Sequence, residues 1–233
     1  MRPTAERTAK KGMGTTAPGQ ISIKVSSGPN CHSMANVKLL AEILLNGCVE
    51  PQPPIARALR ETAAQLKKAE HEVMEFKTPF DCWEVAQATW RLWFQTGAKE
   101  TLTLVASSGE PIYSTFKWYL ETFDIKELTI PELFHLNTKQ AEWRYQFAAY
   151  WYNTAAKTGT DRPIDALICP CAPSARFPHG HPVWWGYFSL WNILDYPSVI
   201  LPLKRMKADP DKDAKDLNYV PKDNIRQDEL GNW

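Results

Sequence analysis

The cysteine pattern of this chain builds no disulfide framework. Five cysteines lie at irregular spacing in 233 residues, whereas disulfide-stapled scaffolds are short and cysteine-dense. Charge of one sign is also scarce: 27 Lys and Arg against 26 Asp and Glu leave a formal net charge of +1. That balance gives no reason to expect nucleic acid or an acidic membrane as a partner. No apolar run reaches transmembrane length, and the N-terminus has no charged-then-apolar leader. No internal repeat is visible. These absences set the expectation of a soluble, cytoplasmic protein with reduced thiols and no membrane contact.

What is present is a globular composition, 44 % hydrophobic and 23 % charged, too apolar for disorder and long enough for one large domain or two small ones. Ten tryptophans, eight tyrosines and nine phenylalanines imply a large aromatic core or an apolar pocket. Residues 1–20 are basic, rich in Gly, Pro and Thr, and read as a loop or tail. From residue 204 the chain is charged and is expected to be exposed to its end at 233.

Between these limits periodicity gives the elements. "ISIKVSS" (21–27) alternates like a short strand. "SMANVKLLAEILLN" places Val37, Leu40, Ala41, Leu44 and Leu45 on a helical stripe, with Ser33 as N-cap and Asn36 three residues on. A helix is expected from about Pro54 to Ala69, with Ile55, Leu59, Ala63 and Leu66 on one face and proline in its first turn. "HEVMEFK" (71–77) alternates as a strand. Asp81 to Gly97 reads as a helix with Trp83, Ala86, Trp90 and Trp93 on one side. The longest helix runs from Pro131 to Lys157, with bulk from Leu133, Leu136, Phe147, Trp151 and Tyr152. "PIDALICP" is a short strand, a helix covers Trp184–Leu194, and "SVILP" is a second buried strand. Helix followed by strand implies α/β layering.

"CPCAPSARFPHGHPVWW" (169–185) concentrates ligand-type residues: Cys169 and Cys171, then His179 and His181. Two thiolates and two imidazoles would complete a tetrahedral zinc site, but structural zinc sites use wider cysteine and histidine spacings. Residues separated by one in an extended segment also point to opposite sides. A bridge between Cys169 and Cys171 would be strained. The reading taken is a small thiol ending a buried strand, with no metal.

Several segments together carry a resemblance. "IDALICPCAPSARFPHG" and "YFSLWNILDYPSVILPL" resemble the C-terminal half of fungal acetamidase-type enzymes in the amidase signature family, with their strand end in Cys-Pro, Pro-His-Gly loop and Trp-Asn-x-Leu-Asp-Tyr-Pro stretch. "SSGPNCHSMANVKLL" resembles that family's helix start, with His32 for the usual Arg and Asn36 for the usual Asp. "VEPQPPIARALRETAAQLKKAEHEVMEF" resembles its next helix and strand, and "MRPTAE" the stretch that follows its nucleophile. The resemblance implies one partial, incomplete α/β domain: a mixed, mostly parallel sheet flanked by helices.

The family hydrolyses amides without metal or cofactor, through a serine activated by a second serine and a lysine. All three would lie before Met1, so the chain is expected to carry no catalytic residue and to be inactive alone. Ser26-Ser27-Gly28 and Ser107-Ser108-Gly109 are the Ser/Ser/Gly candidates to replace them, and Ser189, His179 and Asp195 could form a trio; none stands out. By resemblance the acyl-pocket candidates are Cys169, Pro170 and His179 on one loop, and Tyr187, Trp191 and Asn192 on the next helix. Leu45 to Cys48 passes directly where the family inserts a linker and a central strand, so an interior strand is expected to be missing. Exposed edges then predict marginal stability, self-association or a complementing chain. The alternative to an amide hydrolase portion is a remnant that acts as a binding module.

Overall fold

The computed structural model describes residues 22–23, 41–44, 51–174, 180, 185–201, 203 and 207–213. Three short strands, β1 (Ala41–Leu44), β2 (Glu75–Phe76) and β3 (Ala166–Ile168), form a sheet in the order β2-β1-β3. Both pairings are parallel: Ile43 stands opposite Glu75, and Ala41 opposite Ala166. Parallel neighbours need a crossover, and helix α1 (Pro53–Lys68) supplies it between β1 and β2. All three strands therefore end on the same sheet edge. The wider mixed sheet expected from the sequence goes beyond these strands.

Two expectations fail at β1. Residues 41–44 are a strand, not the second half of a helix, and a strand does precede the Val49–Pro54 stretch. A short apolar run satisfies both helical and strand periods, and here pairing on both sides decides for the strand. The rest of the expected helix, with Ser33 and Asn36, lies outside the described residues, as do most of 21–27 and all of 1–20.

Three of the other helices follow their signals. Asp81 caps α2 (Cys82–Trp93) by accepting from the Trp83 and Glu84 amides at 2.6 and 3.1 Å. Helices α3 (Lys99–Ser108) and α4 (Ser114–Thr122) come next, followed by α5 (Ile130–Asn153). Thr129 and Glu132 close a capping box on α5, with Pro131 in its first turn. A single 3₁₀ turn, Thr154–Lys157, follows it. Helix α6 (Gly186–Leu194) packs on α2 and α5.

Two aromatic clusters form the core. One joins Phe76, Val85, Leu92, Trp143, Phe147, Leu190 and Ile193. The other joins Ala86, Trp90, Tyr119, Phe123 and Tyr187, with the Trp90 ring stacked 4.6 Å from Tyr119 and 5.2 Å from Phe123. Tyr152, one of the residues expected to give the long helix its bulk, lies outside both and is exposed.

Two further expectations need correction. "SVILP" is not a buried strand: Ser198 makes an isolated bridge, and Val199, Ile200 and Leu201 are exposed. An apolar run records a preference for burial without naming what covers it, and no described element does. Within the charged segment, Asp213 is buried. Arg57 on α1 donates to its two oxygens from Nε and Nη2 at 2.6 and 2.8 Å, and to the Lys207 carbonyl at 2.8 Å. That bidentate pair ties residues 207–213 to α1.

Candidate functional site

Ligands of α/β proteins gather beyond the carboxyl ends of parallel strands. Ile168 ends β3 at that edge, and Cys169 and Pro170 follow it directly. The loop beyond is pinned at two points: the Gln52 amide donates to the Pro173 carbonyl at 2.8 Å, and the Thr115 hydroxyl to the Gly180 carbonyl at 2.8 Å. Gly180 takes φ +77°, a conformation that favours glycine.

Cys169 is half-buried, and the Trp191 side chain donates a hydrogen bond to it. Burial nevertheless dominates, with Cys171 adding to it, and the thiol is pushed up to about 12. At neutral pH Cys169 is therefore a protonated, weakly nucleophilic sulfur. Pro170 is buried and Cys171 exposed. Both cysteines are thiols.

α6 is held by its C-terminal end. The Ile193 carbonyl, one of the unpaired acceptors that close any helix, accepts from Gln140 Nε2 at 3.1 Å and Arg144 Nε at 2.8 Å. The guanidinium also suits the negative end of the helix dipole. Gln140 donates further to the Ser22 carbonyl at 2.8 Å. Along α6, Trp191 and Phe147 meet at right angles with ring centroids 5.9 Å apart, while Tyr187 is buried in the Trp90 cluster. Asn192 turns its amide back to the Phe188 carbonyl at 2.9 Å.

The structure thus joins Cys169 to Trp191, and places Tyr187 and Asn192 on the same helix with separate partners. His179 and His181 lie outside the described residues, as do Ser26, Ser27 and Gly28. No three His, Cys, Asp or Glu side chains among the described residues converge as a metal would require. Ser107 and Ser108 donate to the Leu104 and Val105 carbonyls at the end of α3, and Gly109 is that helix's C-cap. Ser189 is buried and donates to the Gly186 carbonyl. Asp195 is the left-handed C-cap beyond α6, six residues on and roughly 9 Å away along the helix axis. Gln140 and Arg144 were not anticipated; a glutamine and an arginine one turn apart beside an apolar face were the available signal.

The amidase family model matches residues 39–215. Amidase FG08078 of Gibberella zeae is 39 % identical over 95 % of this chain and 46 % of its own length. The acetamidase of Emericella nidulans is 28 % identical over 75 % of this chain and 31 % of its own, and that of Aspergillus oryzae 25 % over 95 % and 47 %. The fold is similar to that of a fatty acid amide hydrolase, with TM-score 0.77 at 20 % identity over all of this chain and 46 % of that one. The chain spans under half the length of these relatives. No helix among the described residues is long and apolar enough to cross a membrane. The model match across residues 39–215, the relative at 39 % identity and the shared fold agree: this chain belongs to the amidase family.

Proposed function

We propose that this chain forms the acyl-pocket side of a carbon–nitrogen hydrolase acting on small amides, and that the hydrolytic groups are not its own. The observation that carries the reading is the placement of Cys169 and Pro170 at the carboxyl end of β3, beside Trp191, in a chain matched by the amidase model. A protonated thiol, a proline ring and an indole make a weakly polar wall suited to a short acyl group. Cys169, Pro170, His179, Tyr187, Trp191 and Asn192 are its proposed lining. Ser107, Ser108 and Ser189 each donate their hydroxyl to a helix carbonyl, which supports the view that none is a nucleophile.

The test is ammonia release from acetamide and benzamide by the purified chain, paired with thermal melts in the same amides. No ammonia is expected, together with a rise in melting temperature through mass action. Steady turnover would overturn the claim that catalysis lies elsewhere. A flat melting temperature across the amide series would overturn the pocket.

A second reading has its own observation. Val199, Ile200, Leu201 and Leu203 are exposed together, a patch of the sort that marks an interaction site. In that reading the chain complements a separate chain bearing the nucleophile. Co-purification at one-to-one stoichiometry is expected, and recovery of the chain alone from its native source removes the idea.

A further inference from the structure

Helix α5 buries one side and leaves the other bare. Trp143 and Phe147 are buried with Leu133 and Leu136 packed beside them. Ile130, Phe134, Tyr145 and Tyr152 are 67 %, 65 %, 76 % and 68 % exposed. The last three fall on one line with Thr138, Ala141 and Ala148: positions 134, 138, 141, 145, 148 and 152 alternate steps of four and three. Ile130 stands one turn before Phe134. That alternation keeps side chains on a single seam, the spacing by which two helices mesh.

The order of sizes along the seam is the informative part. Lay a second copy antiparallel so that the two helices cross at Ala141. Phe134 then faces Ala148, Tyr145 comes level with Asn137 and within one residue's rise, about 1.5 Å, of Thr138, and Ala141 faces its own copy at the axis. Phe134 thus meets a small residue, Tyr145 sits beside one, and Ile130 meets Tyr152 at the ends. Ala141 is also at the midpoint of Ile130–Asn153, so the overlap runs the full helix. The Thr138 hydroxyl already donates to the Phe134 carbonyl at 3.0 Å, so covering it strands no donor. A surface that matches itself across a two-fold axis is what a symmetric dimer requires, and a foreign partner would impose no such order.

We propose that this seam is an antiparallel homodimer interface, its occupant a second copy of α5. Its size sets the strength. Full burial of an aromatic side chain removes about 150–250 Å², so three exposed rings with Ile130 and the small residues give roughly 500 Å² per copy. The doubled figure, on the order of 1,000 Å², is at the lower edge of specific interfaces. The dimer is therefore weak and concentration-dependent. This inference is independent of the amidase reading and can fail or stand without it.

The experiment is sedimentation velocity of the whole chain across roughly 1–100 µM, the range in which an interface of this size associates. A reversible shift from 26.5 kDa to twice that mass is expected. Tyr145→Glu should raise the dissociation constant by about tenfold or more while leaving the melting temperature unchanged, since that ring is exposed. Ala141→Cys, placed on the axis in a Cys171→Ser background, should form a covalent dimer on mild oxidation, and Leu104→Cys in the same background should not. A chain that stays monomeric throughout overturns the proposal and leaves the seam to a different chain. A dimer that neither Tyr145→Glu weakens nor Ala141→Cys traps overturns it too, placing the contact on another face.

Discussion

Cys169 and Cys171 have Pro170 between them and meet different surroundings. Cys171 faces solvent, whereas Cys169 has its thiol pushed up to about 12 by burial. Alkylation with iodoacetamide at pH 8, mapped by peptide mass, should therefore label Cys171 at least tenfold faster than Cys169. Equal rates would mean that Cys169 is not sheltered as described. The same burial has a sign in pH. A thiol that ionises near 9 when unfolded and near 12 when folded stabilises the fold below pH 9, and that contribution is lost as pH rises toward 12. The sequence made Cys169 legible as a small thiol at a strand end, because an apolar run terminated by proline is a local signal. It could not show the Trp191 contact, which joins residues brought together only by packing.

Helices and strands divide along the same line. α1, α2, α5 and α6 were legible because each has an apolar period with a proline, a cap or a glycine at hand. α3 and α4 were not: α3 buries no residue at all, so no stripe announces it. Its position depends on the joint before it, where Thr96 bridges Glu127 in antiparallel fashion. Gly97 sits there at φ +68°, and an added Cβ would lie 2.9 Å from the Glu127 nitrogen and 3.2 Å from the Lys126 carbonyl carbon. Gly109 at φ +72° has open space around the same atom. A left-handed alanine costs about 1–2 kcal/mol in either place, and only Gly97 adds a clash with backbone. Gly97→Ala should lower the melting temperature by about 5–10 °C, and Gly109→Ala by roughly half that. Equal losses at both glycines would show that the Thr96–Glu127 joint yields freely.

At the scale of the whole molecule the family was legible and the closure of the fold was not. Cys-Pro and Trp-Asn-x-Leu-Asp-Tyr-Pro carried the lineage, but a charged run gave no warning that Asp213 is buried against Arg57. Acid should expose that contact. The Arg57 guanidinium holds the Asp213 carboxyl down at about 2 against an ordinary 3.8. Its stabilising share is thus complete above pH 3.8 and disappears as pH falls toward 2. Asp213→Asn should lower the melting temperature at pH 7 by about 5 °C and flatten the decline between pH 4 and 2. An acid limb as steep in the variant as in the wild type would remove Asp213 from the account.

That ion pair also has a place in time. Arg57 and Asp213 are 156 residues apart, and a ribosome adding about 5–20 residues per second needs roughly 8–30 s to pass from one to the other. α1 is synthesised long before that carboxylate exists. Glu61, one turn along the same helix and 3.0 Å from Arg57 Nη1, is available throughout that interval. Arg57 therefore has one carboxylate within its own helix before the second, Asp213, is made, and in the folded chain it holds both.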